Sequence, residues 1–267
     1  MMNQLLFGMP TLIEKPGIRE SVKLCVELGL DFIELDMNLP QYQIGIMDAD
    51  ELRKSAAANG IFLTIHLDEN LNVCDFNNRV ADAYRHTVFG TIDLAKRMDV
   101  DILNMHMAPG VWFSLPDKRV YLFDLHKDRY LEKLKLFREQ CEKAIGGSGI
   151  RICVENSGGY HAYLQDGVEL LLESEVFALT WDVGHDQAIQ NSDSAFINKH
   201  ADRVVHMHIH DAIGSGSHLV LGSGEVELAE CIRFARGHGC RCVIETKSVD
   251  GLKESVSFLK AMMKKEG

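Results

Sequence analysis

Val205-His206-Met207-His208-Ile209-His210 alternates strictly between aliphatic and ionisable side chains. Successive side chains of a strand point to opposite faces, so the three imidazoles share one face and the apolar groups the other. The layout recurs along the chain. In Phe32-Ile-Glu-Leu35, Glu34 opposes Ile33 and Leu35; in Leu63-Thr-Ile-His-Leu67, His66 opposes Ile65 and Leu67. Leu103-Asn-Met-His-Met107 sets His106 against Met105 and Met107, and Ile152-Cys-Val-Glu155 sets Glu155 against Val154. Leu179-Thr-Trp-Asp-Val183 sets Asp182 against Trp181 and Val183, and Val243-Ile-Glu-Thr246 sets Glu245 against Ile244. One face of each run suits packing on helices. The other carries a carboxylate or an imidazole near the C-terminal end.

Working outward, each apolar run is followed by an amphipathic segment. Strands are expected at Leu5–Gly8, Asp31–Met37, Phe62–Leu67, Ile102–Ala108, Arg151–Ser157, Phe177–Val183, Val204–Ala212 and Arg241–Thr246. The matching helices are expected at Gly17–Gly29, Asp50–Asn59, Asn77–Met98, Lys127–Ile145, Gln165–Glu173, Ser192–His200, Val226–Gly237 and Gly251–Lys264. Alternating βα units with β-branched, doubly apolar strands give a parallel sheet covered by helices. Eight such units in 267 residues match the arithmetic of an α/β, closed (β/α)8 TIM barrel, a single domain over 1–267. An open doubly wound sheet is the alternative. The longest irregular connection expected is Pro109–Asp124, and loops of that length are usually functional.

Composition narrows the function. Lys+Arg 28 against Asp+Glu 39 gives 28 − 39 = −11, which speaks against a generic nucleic-acid partner. The 46% hydrophobic and 25% charged fractions are those of a globular protein rather than a disordered or fibrous one. No stretch approaches about 18 uninterrupted apolar residues, so no membrane partner is expected. The N-terminus carries no basic stretch of a signal peptide. Seven cysteines, an odd number without Cys-x-x-Cys spacing, fit a reducing cytoplasm and thiols used as small core residues. Cys240 and Cys242 would share one strand face.

In a closed barrel the ionisable face points inward, and strand C-termini are where barrel active sites sit. Seven converging ionisable groups are costly to desolvate unless something neutralises them. A divalent cation does so, and mixed carboxylate and imidazole ligands suit Zn, Mn, Co or Fe. A lone Glu or His on a strand is ordinarily solvated or hydrogen-bonded. Glu155, Asp182, His208 and Glu245 on four successive strands are a ligand set. His66 and His106 line the same site or serve as core histidines. Glu34 reads as a substrate contact or as half of a structural ion pair. His206 lies a layer deeper and reads as structural; His210 is placed to cap the mouth. Lys247 is a candidate partner for a substrate carboxylate or phosphate. Trp112 and Phe113, in the long loop, can close the pocket or mark a contact in a homo-oligomer. Gly214-Ser-Gly-Ser217 and Gly222-Ser-Gly224 are candidate phosphate loops, although Glu225 at the following helix argues against an anion there.

Taken in order, Ile65-His66-Leu67, Asn104-Met-His106, Val154-Glu155-Asn156-Ser157-Gly158-Gly159, Trp181-Asp182-Val-Gly-His185, His208-Ile-His-Asp211, His218-Leu-Val-Leu-Gly222-Ser-Gly224-Glu225 and Ile244-Glu245-Thr246 span almost the whole chain. Together they resemble the xylose isomerase-like barrel superfamily, which unites sugar and sugar-phosphate isomerases and epimerases with endonuclease IV-type nucleases. The resemblance implies one divalent metal (Zn, Mn, Co or Mg) on Glu155, Asp182, His208 and Glu245. Glu155 and Glu245 would flank a sugar, sugar phosphate or related polyol or keto acid as acid and base. His185 would contact substrate or a further metal. The implied activity is isomerisation or epimerisation by proton abstraction next to a metal-held carbonyl.

The alternative is a zinc-dependent endonuclease IV-like phosphodiesterase. Its extra ligands resemble His66, His106, His185 and His218, which keep a second metal open. Those nucleases also have an Asp two residues before the position of His218, where this chain has Gly216. A third reading, a barrel that binds ligand without turnover, has no need of two opposed carboxylates.

Overall fold

A sheet apolar on one face and ionisable on the other hides both when it closes on itself. In the computed structural model, which describes residues 5–266, it does so. Residues 1–4 and 267, the ends of the expected domain, lie outside the described residues. In chain order the elements are β1 (Leu6–Pro10), α1 (Ile18–Leu28), β2 (Phe32–Asp36), α2 (Ala49–Ala57), β3 (Phe62–His66), α3 (Asn78–Met98), β4 (Ile102–His106), β5 (Trp112–Ser114), β6 (Arg119–Tyr121), α4 (Leu122–Leu125) and α5 (Lys127–Ile145). They continue with β7 (Arg151–Glu155), α6 (Ala162–Leu172), β8 (Phe177–Asp182), α7 (Val183–Ala188), α8 (Ser194–Lys199), β9 (Val204–Ile209), β10 (Asp211–Ile213), β11 (Gly216–Leu219), α9 (Leu228–His238), β12 (Arg241–Ile244) and α10 (Val249–Glu266). The barrel runs β1-β12-β9-β8-β7-β4-β3-β2, with β1 paired in parallel to both β2 and β12. This is a TIM barrel.

The outward face of the strands is fully buried beneath the helices, through Ile33, Leu35, Ile65, Leu103, Ile152, Val154, Leu179, Met207 and Ile244. The interior is layered. Phe32 stacks on Phe62 at 5.0 Å near the floor, and a Cβ at Gly8 would lie 2.4 Å from the Phe32 ring. That close approach explains the glycine. Arg241 crosses the floor: its guanidinium lies 4.8 Å over Phe62 and donates to both oxygens of Asp101, at 2.6 and 2.7 Å. Above lie Glu34, Thr64, Asn104, Thr180 and His206, all buried. A register shift between Leu179 and Thr180 leaves Asp182 level with His208, while Glu155 is level with His106.

Three expectations need correcting. Pro109–Asp124 is not irregular: β5 and β6 form an antiparallel hairpin, closed by Leu115 N–H donating to the Lys118 carbonyl at 2.8 Å. Pro116 sits where a β-turn favours it. The strand expected to reach Ala212 stops at Ile209, and β10 pairs with β11 instead. The Asp211 carboxylate accepts from the backbone of Ala212, Gly222 and Val226 and folds that segment back. The expected helix over Ser192–His200 is found as α8, but no helix is expected ahead of it, and α7 lies there because the Asp182 side chain caps its start by accepting from His185 N–H at 2.7 Å.

The floor brace generates a test. Burial raises the Asp101 carboxyl, but Arg241 outweighs this and holds it below the usual carboxylate range. Its stabilisation is therefore present above the unfolded value and lost as pH falls through the depressed folded one. Asp101→Asn is expected to cost about 1 kcal/mol at pH 7, a figure discounted because the carboxylate is 46% exposed. The difference from wild type should vanish in strong acid, as urea titrations across pH will show.

Candidate active site

The second interior layer holds the first buried charge. Glu34 Oε2 accepts from the Thr64 hydroxyl at 3.0 Å and faces His206 Nε2 at 2.9 Å, while Oε1 lies 2.8 Å from His208 Nε2. Burial alone would raise this carboxyl; His208 and His206 overcome it and hold it far below the usual range. Both oxygens lie against imidazoles and the residue is 2% exposed, which fits the ion-pair alternative, a strut behind His208, while Glu34 also borders a cavity. His206 is buried at this level, and burial lowers its imidazole. Such a carboxylate behind a ligating imidazole is the usual way a metal site fixes ring orientation.

One layer up, the strand ends bring the four expected ligands together. His208 Nδ1 lies 3.5 Å from Glu155 Oε2, 3.8 Å from Asp182 Oδ2 and 3.3 Å from Glu245 Oε2. Around Glu155 stand His66 Nε2 at 3.4 Å, His106 Nε2 at 3.2 Å and His185 Nδ1 at 3.7 Å. Asn104 Nδ2 donates to Glu155 Oε2. The Asn156 side chain clasps the Asp182 backbone, accepting from its N–H at 2.8 Å and donating to its carbonyl at 3.1 Å. His218 Nδ1 is 3.8 Å from Glu245 Oε2, and Lys247 Nζ donates to Glu245 Oε1 at 2.7 Å.

His210 does not cap the mouth. It is fully buried beneath α7, where a Cβ at Gly184 would stand 2.0 Å from its Nδ1. Its Nδ1 accepts from His218 N–H at 2.8 Å, which leaves Nε2–H to donate to Asp182 at 3.1 Å. Sequence parity along a strand could have found Asn104, two residues before His106. Tyr121 and His161, which border the mouth from β6 and the loop before α6, carry no such signal.

The electrostatics follow from four buried carboxylates among imidazoles. Burial raises Glu155 and Glu245, but His106 and His208 around the first, and His208 and Lys247 around the second, hold both far below the usual range. Burial lowers His66 and His185, yet the surrounding carboxylates lift them to about 9 and about 8. His218 is pushed down to about 4, chiefly by burial, so its ring is neutral and free to ligate at pH 7.

The residues fit a divalent cation. Among the described residues, His208 Nδ1, His185 Nδ1 and Glu245 Oε2 are buried without a hydrogen-bond partner. Orphaned buried polar atoms are costly, and an ion is one of few remedies. Potential ligand atoms of Asp182, His208 and Glu245, and of Glu155, Asp182 and His185, lie within 4.8 Å of one another. A further such group is His185, His210 and His218.

Two cavities flank the carboxylates. One of about 160 Å³ is bordered by Glu34, Asp36, His66, Glu69, Glu245 and Lys247. The other, of about 290 Å³, is bordered by Glu155, Trp112, Tyr121, Ser157 and His161. Trp112 therefore reaches the mouth from the β5–β6 hairpin, while Phe113 on the same strand is 57% exposed. The Gly214–Ser217 segment is the turn and start of the β10–β11 hairpin.

A family model described as xylose isomerase-like TIM barrel matches residues 22–262. Among curated proteins no sequence match is found. Solved structures sharing the fold include a D-tagatose 3-epimerase-like protein, at 19% identity and TM-score 0.81 with 97% of each chain covered. A second is 3-keto-D-glucoside 4-epimerase from E. coli, at 14% identity and TM-score 0.77, covering 97% of this chain and 100% of that one. L-ribulose 3-epimerase follows at 15% identity and TM-score 0.74, covering 97% and 94%. Likeness at such identities shows the shared fold.

The strut can be tested apart from any activity. Glu34→Ala leaves two buried imidazoles without their acceptor, and breaking a buried pair typically costs about 3–5 kcal/mol. A loss of that order is expected in urea unfolding of metal-free protein. An unchanged midpoint would return Glu34 to the substrate cavity.

Proposed function

This chain belongs to the xylose isomerase-like TIM barrel family, and on that premise we propose that it is a divalent-metal-dependent isomerase or epimerase of a sugar or sugar derivative. The observation that carries the reading is the placement of Glu155 and Glu245. They arrive from β7 and from the end of β12, yet each comes within 3.5 Å of the same nitrogen, His208 Nδ1. Two ionised carboxylates from separate strands thus converge on one point at the mouth, which suits moving a proton off one carbon and back.

Glu155, Asp182, His208 and Glu245 would hold the ion; no thiolate is among them, which suits Zn, Mn, Co or Mg. The ion would supply Lewis-acid polarisation of the substrate carbonyl. Either Glu155 or Glu245 removes the proton from the adjacent carbon, and the C–H electron pair moves toward the carbonyl. Return by the opposite Glu inverts that carbon; return to the former carbonyl carbon, with the hydroxyl proton passing to the former carbonyl oxygen, converts aldose and ketose. Asn104 and the histidines around Glu155 hold its free lone pair in place, and Lys247 does the same for Glu245. His185 is placed to orient a substrate oxygen, as are Lys247 and Trp112 from the two cavities.

The family's sugar epimerases, which the structural relatives exemplify, favour this reading over a phosphodiesterase. His66, His106, His185 and His218 do gather near the mouth and keep a second ion open, although both nitrogens of His210 beside them are already hydrogen-bonded. Gly216, however, supplies no carboxylate for a third. A cytoplasmic setting suits the seven cysteines, all unpaired and buried. No helix among the described residues is long and apolar enough to cross a membrane.

Glu155→Ala and Asp182→Ala are expected to keep the fold and lose bound metal, measured by elemental analysis after dialysis. Three ions per chain in wild type, with cleavage of abasic DNA, would favour the nuclease instead. For the chemistry, D-fructose, D-tagatose and L-ribulose are incubated with metal-loaded protein in deuterated water. Wild type should exchange the carbon-bound hydrogen next to the carbonyl of at least one. Glu155→Gln and Glu245→Gln should keep part of the metal and lose turnover by about 10²-fold or more. Full activity in both variants would make these residues ligands only.

A further inference from the structure

The larger of the two cavities is more than the acid–base chemistry needs. Proton transfer engages one carbonyl carbon and its neighbour, at the point between Glu155 and Glu245. The cavity on the Glu155 side, bordered by none of Asp182, His208 and Glu245, measures about 290 Å³, nearly twice the 160 Å³ of the cavity on the Glu245 side. The two also differ in chemistry. The smaller is bordered by Asp36, Glu69 and Lys247, whereas Glu155 is the one charged group bordering the larger among the described residues.

The larger lobe has an ordered aromatic wall. Tyr121 packs at 6.0 Å from Trp112 and 4.6 Å from His161, and His161 stacks on Tyr163 at 5.8 Å. Tyr163 donates its hydroxyl to the Pro109 carbonyl at 2.9 Å, which ties the wall to the base of the β5–β6 hairpin. Trp112 nevertheless remains 47% exposed. Opposite lie Ser157 and Gly158, and a Cβ at Gly158 would meet nothing within 4 Å. Aromatic faces mixed with hydroxyl, imidazole and backbone groups match a sugar ring, which has apolar C–H faces and hydroxyl edges. An aryl group would leave the polar members unpaired. A charged group would find no opposite charge beyond Glu155.

Resting on the isomerase or epimerase reading, we propose that the substrate is a two-ring saccharide. The carbonyl-bearing sugar lies over the Glu155 and Glu245 pair. The second, glycosidically linked ring sits in the lobe of Trp112, Tyr121 and His161.

The test compares D-fructose with two keto-disaccharides built on it, lactulose and isomaltulose, which attach the second ring at different positions. Calorimetric titration of Mn²⁺-loaded protein should give at least one disaccharide an affinity about tenfold or more above that of fructose, the scale of one good ring-stacking contact. Trp112→Ala and His161→Ala should each shrink that ratio to within about threefold. Equal affinities, no binding of any of the three sugars, or a preference that survives in both variants would overturn the proposal. Deuterium exchange on the same sugars keeps the two readings apart. A disaccharide preference without exchange supports the second-ring lobe and removes the epimerase chemistry. Exchange on fructose without any preference does the reverse.

Discussion

A carboxylate at the centre of the barrel has to be matched, and the groups that match Glu34 set everything above it. Its two oxygens take His206 and His208 from the far side of the sheet and Thr64 from the neighbouring strand. His208 sets Nε2 against Glu34 and Nδ1 toward the mouth, where Glu155, Asp182 and Glu245 meet it. Each of those acids brings its own partners, from Asn104 and the flanking histidines to Lys247. The site is thus a stack of paired charges whose lowest member is wholly protein-bound. Its highest members leave buried lone pairs open, which is where an ion belongs.

The same device shapes the loops. Asp211 gathers three backbone N–H groups and folds the β10–β11 hairpin over the end of β9. Asp182 is both a candidate ligand and the cap of α7, and that short helix in turn buries His210. Charge that would be a liability in the core is spent on turning the chain at the mouth. The irregular segments there are consequently fixed by buried carboxylates, of which Asp182 is also a candidate ligand.

The strand parity that makes the barrel legible in the sequence also brings Glu155, Asp182, His208 and Glu245 to one point, because both rest on a period of two. What escaped was whatever depends on depth or on contacts distant in sequence. Parity says that Glu34 and His210 face inward; it does not say that one lies beneath His208 and the other beneath α7. The β5–β6 hairpin was hidden because three-residue strands leave too short a pattern to read. α7 was hidden because its start is set by a capping carboxylate that also reads as a strand residue. Tyr121 and His161 sit on connections, where no periodicity points a side chain anywhere.

The ring order has a consequence for the birth of the chain. β1, which emerges before the other barrel strands, is bordered by β2 on one side and by β12 on the other. Until residues 241–244 emerge, the nascent sheet keeps open edges on β1 and β9, and exposed strand edges invite association with other chains. Closure depends on the pairing most distant in sequence, a slow kind of contact to form. The segment that ends this vulnerable interval runs straight into Glu245 and Lys247. A truncated or stalled product therefore lacks its seal and one of the two carboxylates proposed to move the proton, so no open-barrel fragment would carry the proposed chemistry.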